Sequence, residues 1–141
     1  IDHIGRGGQL GEIWEQIEKI RRILRLDVVS SHGVFGSRDG RHKGIISLPT
    51  VHELSESQIK MLGASAPGST LNIIENRTVV QKFRMNMPPR VYNLPGISCK
   101  NPDCISHPEH FEPVQPEFLR SGDTTYTCKY CERPHDFSAI W

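Results

Sequence analysis

The sequence predicts an α+β chain in two parts: a sandwich of two helices against a mostly antiparallel sheet, then a small antiparallel β unit. Three observations carry this reading. One strongly amphipathic helix stands near the start, and β-prone apolar runs alternate with helical stretches through the first half of the chain. A proline-bearing stretch, NMPPRVYNLPG at residues 86–96, is then followed by all four cysteines and five of the ten prolines. Pro88, Pro89 and Pro95 deny backbone donors and force extended geometry, which marks a boundary. The first unit is therefore assigned to residues 1–89 and the second to 90–141.

Each element has its own signal. IDHI, residues 1–4, reads as a short strand. Leu10, Ile13, Trp14, Ile17, Ile20, Ile23 and Leu24 recur mostly at steps of three and four. Glu15, Glu18, Arg21, Arg22 and Arg25 take the other side, as a surface helix requires. DVVSSHGVF and GIISL read as strands, with GSRDGRHKG as an exposed loop between them. A second helix begins at Ser55, where SESQ has the form of a capping box. It carries Ile59 and Leu62 on one face and stops by Pro67–Gly68. STLNII and RTVVQKF follow as strands joined by a short turn at ENR. The order strand, helix, two strands, helix, two strands gives an open sandwich of the ferredoxin-like kind, with the helices on one face.

Composition narrows the function classes. Lys+Arg 17 against Asp+Glu 16 gives a formal net charge of +1, so no strong global field draws the chain to nucleic acid or an anionic membrane. No apolar run approaches the roughly 20 residues that span a bilayer. IDHIGRGG has neither the apolar core nor the cleavage site of a signal peptide. A soluble, cytoplasmic protein is expected, without membrane or nucleic-acid partners.

In a reducing compartment, clustered cysteines are metal ligands more often than disulfides. Cys99, Cys104, Cys128 and Cys131 have the spacing C-x4-C, 23 residues, C-x2-C. Two such knuckles supply four sulfurs in a tetrahedron, the geometry Zn²⁺ accepts, and this reading is preferred to two disulfides or unrelated thiols. CKYC sits between DTTYT and ERPHDFSAIW, a strand–turn–strand context that does not suit a thioredoxin-like pair. His107, His110 and His135 lie near enough in sequence to replace one sulfur. A shell of four thiolates leaves no position for water, so one Zn²⁺ per chain is expected as a structural cofactor, with Lys100, Lys129 and Arg133 offsetting its charge. A unit of about 50 residues has too little core to stand unaided.

Catalysis finds no constellation. Asp2 and His3 are neighbours on a strand, whose side chains point to opposite faces. GRGGQLG precedes a helix but lacks the Lys-Ser/Thr ending of a phosphate-binding loop, and reads as a flexible lead-in. The chain is not expected to be an enzyme.

IDHI, LSESQIKMLGASAPGSTLNIIEN, VVQKF, CISH after the second cysteine and CKYCE at the last two occur in this order. Over almost the whole chain they resemble the regulatory chain of aspartate carbamoyltransferase. The resemblance implies a non-catalytic, allosteric subunit in pyrimidine biosynthesis. Its N-terminal domain would bind CTP, UTP or ATP and pair into a homodimer. Its zinc domain would dock on the catalytic chain and bridge catalytic trimers in a hetero-oligomer. Asp2 and His3 match the family's nucleotide-holding segment, and Asn72 an asparagine near base and ribose. Val79 matches the apolar residue beside the base, and Lys82 the lysine that meets ribose or phosphate. On the cysteine loops, Asn101, Asp103, Arg120, Lys129, Glu132 and Arg133 are the candidates for contact with the catalytic chain.

Two departures stand out. Ser47 or Leu48 replaces a family lysine, without the acidic-Asn pair that should follow, and Arg41, His42 or Lys43 would compensate only if their loop folds inward. The family also has residues before IDHI, and some members are fused to the catalytic chain. Two alternatives compete: a scaffold without nucleotide response, and a zinc-ribbon nucleic-acid module. Against the latter, residues from Cys99 onward carry Lys100, Arg120, Lys129 and Arg133 but seven acidic residues, the wrong sign for phosphate.

Overall fold

The computed structural model describes residues 1–26, 31–48 and 54–141. The chain divides into two compact units, Ile1–Asn86 and Met87–Trp141.

In the first unit, α1 (Leu10–Ile23) is followed by the hairpin β1 (Ser31–Gly36) and β2 (His42–Ser47). Then come α2 (Glu56–Ser65) and the hairpin β3 (Thr70–Glu75) and β4 (Thr78–Arg84). Residues 1–4 stitch the two hairpins together. Asp2 exchanges both backbone hydrogen bonds with Thr70 of β3, at 2.8 and 2.7 Å. Ile4 does the same with Gly44 of β2, at 3.1 and 2.7 Å. The resulting order is β4-β3-(1–4)-β2-β1 with every pairing antiparallel, which is the ferredoxin-like arrangement carrying one extra edge strand.

The amphipathic stripe of α1 is narrower than its sequence pattern. Ile13, Ile17, Ile20 and Leu24 are buried, whereas Leu10 and Trp14 are exposed, because only one side of the helix meets the sheet. Gly44 lets it come close: a Cβ there would lie 2.9 Å from Ile17 and 3.1 Å from Ile13. In α2 the Ser55 hydroxyl accepts from the Gln58 N–H at 3.2 Å, and the Gln58 side chain returns a bond to the Ser55 N–H at 2.9 Å. Leu62 is fully buried but Ile59 is exposed, so the expected apolar pairing does not form and Met61 takes its place in the core. Gln58 Nε2 donates to Leu24 O, and Gln16 Nε2 to Ser65 O. The end of α1 thus meets the start of α2, and the two helices run antiparallel.

Of the GSRDGRHKG segment, only residues 37–41 form the turn; His42, Lys43 and Gly44 already pair in β2. Cross-strand hydrogen bonding won over the loop-like composition. The predicted strand DVVSSHGVF is seen from Ser31 onward, and its first four residues lie outside the described residues. Asn76 and Arg77, both with positive φ, make the two-residue turn between β3 and β4.

The second unit is a four-stranded antiparallel sheet in sequence order: β5 (Arg90–Tyr92), β6 (Glu117–Arg120), β7 (Thr125–Cys128) and β8 (Pro134–Asp136). A short 3-10 turn, Pro108–His110, lies in the long β5–β6 connection. Val91, Phe118, Tyr126 and Ile140 form a small buried core beside the cysteines.

Candidate functional site

The four cysteines converge. Their sulfurs all lie within 4.8 Å of one another. Cys99 and Cys131 are 3.6 Å apart, and Cys104 and Cys128 3.7 Å. Four thiolates at about 2.3 Å from one tetrahedral Zn²⁺ stand roughly 3.8 Å from each other, so the donor set and spacing fit a single structural zinc ion. Cys128 closes β7 and Cys131 ends the following turn, held by Glu132 N–H to Cys128 O and Cys128 N–H to Arg133 O, both 3.0 Å. Cys99 and Cys104 lie in the opposite loop, where Cys104 N–H bonds Asn101 O at 3.0 Å.

The surroundings tune the thiols unequally. Burial pushes the Cys99 and Cys128 thiols up. For Cys131 burial acts in the same sense, but the Arg133 N–H, the Asn101 side chain and the neighbouring sulfurs outweigh it and bring the thiol to about 7. Ser106 Oγ lies 3.2 Å from Cys104 Sγ, and His135 Nε2 3.5 Å from Cys99 Sγ. The histidines do not displace a sulfur: His110 Nε2 is spent on Pro102 O at 2.6 Å, and His135 stands behind Cys99.

Among the polar residues expected on these loops, Asn101 is buried and braces the knuckle, its Oδ1 accepting from Asp103 N–H at 3.2 Å. Lys129 Nζ binds Glu117 at 2.8 Å, and Arg90 binds the same carboxylate at 2.6 Å, tying the knuckle to β5 and β6. Lys129 therefore neutralises Glu117 rather than the sulfurs. Asp103, Arg120, Glu132 and Arg133 are exposed. So are Ile105, Phe111 and Tyr130, apolar residues on the same loops that carry no strand or helix period and so gave no sequence signal.

In the first unit two bulges assemble a second set of residues. Ile1 pairs with Ile46 and Ile4 with Gly44, so three steps on one strand oppose two on the other. The extra residue falls at Asp2–His3, where His3 has φ +61°. Asp2 therefore turns to the sheet face away from α1, beside Lys43. Lys43 Nζ lies 2.9 Å from Asp2 Oδ1, and the Asp2 carboxylate also accepts the His3 N–H at 2.6 Å. Burial alone would raise the Asp2 carboxyl; these contacts hold it below the usual carboxylate range instead. The expectation that Asp2 and His3 diverge is thus corrected: His3 Nδ1 is 3.4 Å from Asp2 Oδ2, because the bulge breaks the alternation.

The second bulge, in β4, does the same for Val79. Asn72 pairs with Lys82 and Ile74 with Val79, with the register shifting between Ile73 and Ile74. Val79 and Lys82 are three residues apart and would face opposite ways on a regular strand, yet both share the face of Thr70 and Asn72. Asn72 Oδ1 is buried there with no hydrogen-bond partner among the described residues. Ser47 ends β2 on the Lys43 side of that strand, and the Arg41–Asp39 contact keeps Arg41 on the turn, so of the three basic candidates Lys43 reaches the cluster.

Fold and sulfur cluster together define a two-unit chain, an α+β sandwich followed by a β unit with a four-cysteine metal site. Residues 1–86 match the family described as aspartate carbamoyltransferase regulatory chain, allosteric domain, and residues 89–141 that chain's metal binding domain. The chain belongs to the aspartate carbamoyltransferase regulatory-chain family. It is 49% identical over its full length to Protein PyrBI of Thermotoga maritima and spans 27% of that relative. It is 39% identical to the regulatory chain of Escherichia coli, over 99% of this chain and 87% of that one. The figures for the regulatory chain of Chromobacterium violaceum are 35%, 94% and 83%. The two family descriptions are allosteric and metal-binding. No helix among the described residues is long and apolar enough to cross a membrane.

Proposed function

We propose that this chain is the regulatory part of an aspartate carbamoyltransferase, with its first unit taking a nucleotide and its zinc unit docking on the catalytic chain. The observation that carries the nucleotide reading is the shared sheet face bearing Asp2, Lys43, Asn72, Val79 and Lys82. Lys82 and Lys43 offer charged donors for phosphate and ribose, Val79 an apolar wall for a base, and Asn72 Oδ1 an unsatisfied acceptor for a base N–H. CTP, UTP and ATP all present these chemistries. His3 lies beside the set.

Homodimerisation through the first unit is supported by β4. All its residues are exposed, and Ile74, Val79, Val80 and Phe83 project from the β3–β4 hairpin. An exposed edge strand of this length is a template for pairing with a second copy. For the zinc unit, Ile105, Phe111 and Tyr130 supply apolar anchors, and Asp103, Arg120, Glu132 and Arg133 a polar rim, on loops made rigid by the metal. Glu132 and Arg133 flank the last knuckle directly. That the chain spans only 27% of the PyrBI relatives supports reading it as a segment of a longer polypeptide that also carries the catalytic chain. Thiolate ligation of zinc suits a reducing, cytoplasmic setting.

The test is sedimentation of the chain with a cognate catalytic trimer, with and without a strong zinc chelator, followed by aspartate saturation curves with each nucleotide. A heavy complex that the chelator dissolves, and a curve that shifts with nucleotide and no longer shifts in Lys82→Ala, are expected. A complex that persists in verified metal-free protein would refute the docking role of the zinc unit.

A further inference from the structure

Beyond the shared face, the first unit has an open cleft of about 710 Å³, whose walls include His3, Arg6, Gln16, Thr70, Lys82 and Arg84. Its charged lining is entirely basic. Lys82 and Arg84 have no ion-pair partner among the described residues, and no carboxylate lines the cleft. Lys82 and Arg84 are thus two unpaired cations in one cleft that Arg6 also lines, and a chain of phosphates is an anion whose charge and length suit all three.

Arg6 differs from the other two. Its Nη2 lies 2.7 Å from Asp39 Oδ2 on the β1–β2 turn, and both side chains are substantially exposed. Asp39 has a second basic neighbour, Arg41, with Nε at 3.5 Å and the backbone N–H at 3.2 Å, so it does not depend on Arg6. The backbone around Arg6 is fixed. Gly7 N–H bonds His42 O at 2.9 Å, and Gly5, at φ +56°, approaches α1 so closely that a Cβ would sit 2.8 Å from Gln16 Oε1. Only the long Arg6 side chain has to swing for its guanidinium to leave Asp39 and serve the cleft. The amides of Gly7, Gly8 and Gln9 are already bonded, Gly8 N–H to Gly5 O and Gln9 N–H to Glu12, so these three do not offer themselves to a phosphate.

We propose that Arg6 is a further phosphate-binding residue of this cleft, restrained by Asp39 until a polyphosphate arrives, so that the number of phosphates sets affinity. The inference rests on the nucleotide reading, with which it shares His3 and Lys82. Calorimetric titration of the intact, metal-loaded protein with inorganic tripolyphosphate, pyrophosphate and orthophosphate tests it, with a nucleoside triphosphate as a separate arm. Arg6→Gln should weaken tripolyphosphate about tenfold, as expected for a lost charge-assisted contact, and leave orthophosphate nearly unchanged. Asp39→Asn should act in the opposite sense, strengthening tripolyphosphate by up to about fivefold, the worth of an exposed ion pair. Opposite signs from two exposed residues exclude misfolding as the cause. Tripolyphosphate binding that is absent from the wild type, or unchanged in Arg6→Gln, would overturn the assignment. If nucleoside triphosphates fail to bind while tripolyphosphate responds to both variants, the assignment of Arg6 stands and the nucleotide reading falls.

Discussion

Removing the metal should unfold the second unit and leave the first intact. The 55 residues of Met87–Trp141 surround a core of few large side chains, with Val91, Phe118, Tyr126 and Ile140 packed against the cysteines. At roughly 0.05–0.15 kcal/mol per residue, a unit of that size has a net stability of about 3–8 kcal/mol. Zinc binding at four-ligand structural sites contributes about 10–16 kcal/mol, more than the whole margin, so the metal-free unit falls on the unfolded side. The chain offers a direct readout because its two tryptophans are divided between the units, Trp14 in the first and Trp141 in the second. In Trp14→Phe, chelation under reducing conditions should shift Trp141 emission to the red and abolish the near-ultraviolet dichroism of Tyr126. In Trp141→Phe, Trp14 emission and the melting transition of the first unit should not move. A verified metal-free protein in which Trp141 still reports a cooperative melt would refute the reasoning, because core packing would then suffice without the clamp.

Three further perturbations address the first unit. Gly44→Ala should destabilise it by about 1–3 kcal/mol in urea unfolding, since the new methyl overlaps Ile17 and Ile13, and Ile17→Val should recover part of the loss. Ser55→Ala removes the acceptor for the Gln58 N–H and should cost about 1 kcal/mol, read as a lower melting temperature. Lys43→Met should cost about 1 kcal/mol at neutral pH. Because the Asp2 carboxyl is depressed in the folded state, that contribution is present above the carboxylate's unfolded pKa of about 4 and disappears as pH falls through the folded value. Wild-type and variant urea midpoints should therefore converge in acid, and a gap that persists there would show that Lys43 acts by packing rather than charge.

Local patterns, visible in the sequence, accounted for much of the molecule. The three-and-four spacing of Ile13, Ile17 and Ile20 identified α1, SESQ identified the start of α2, and two cysteine pairs in a small β segment identified a metal clamp. These signals depend on period, on capping and on ligand type, all of which act over a few residues. The sequence order of elements likewise predicted an α+β sandwich, because helices and strands that alternate must cover one another's apolar faces. Other features depended on register, which no local pattern records. A bulge at Asp2–His3 and another in β4 turn Asp2 and Val79 onto the face of Asn72 and Lys82, reversing what strict alternation implies. Lys43 looked like part of an exposed loop, yet pairing across β1 and β2 carries it to Asp2. Asn101 is buried in the first cysteine loop, and Lys129 meets Glu117 twelve residues earlier in the chain, placements that no local pattern records. Sequence alone determined which elements form and what the cysteines do; tertiary structure decided which side chains meet, since a single extra residue in a strand exchanges one face of a sheet for the other.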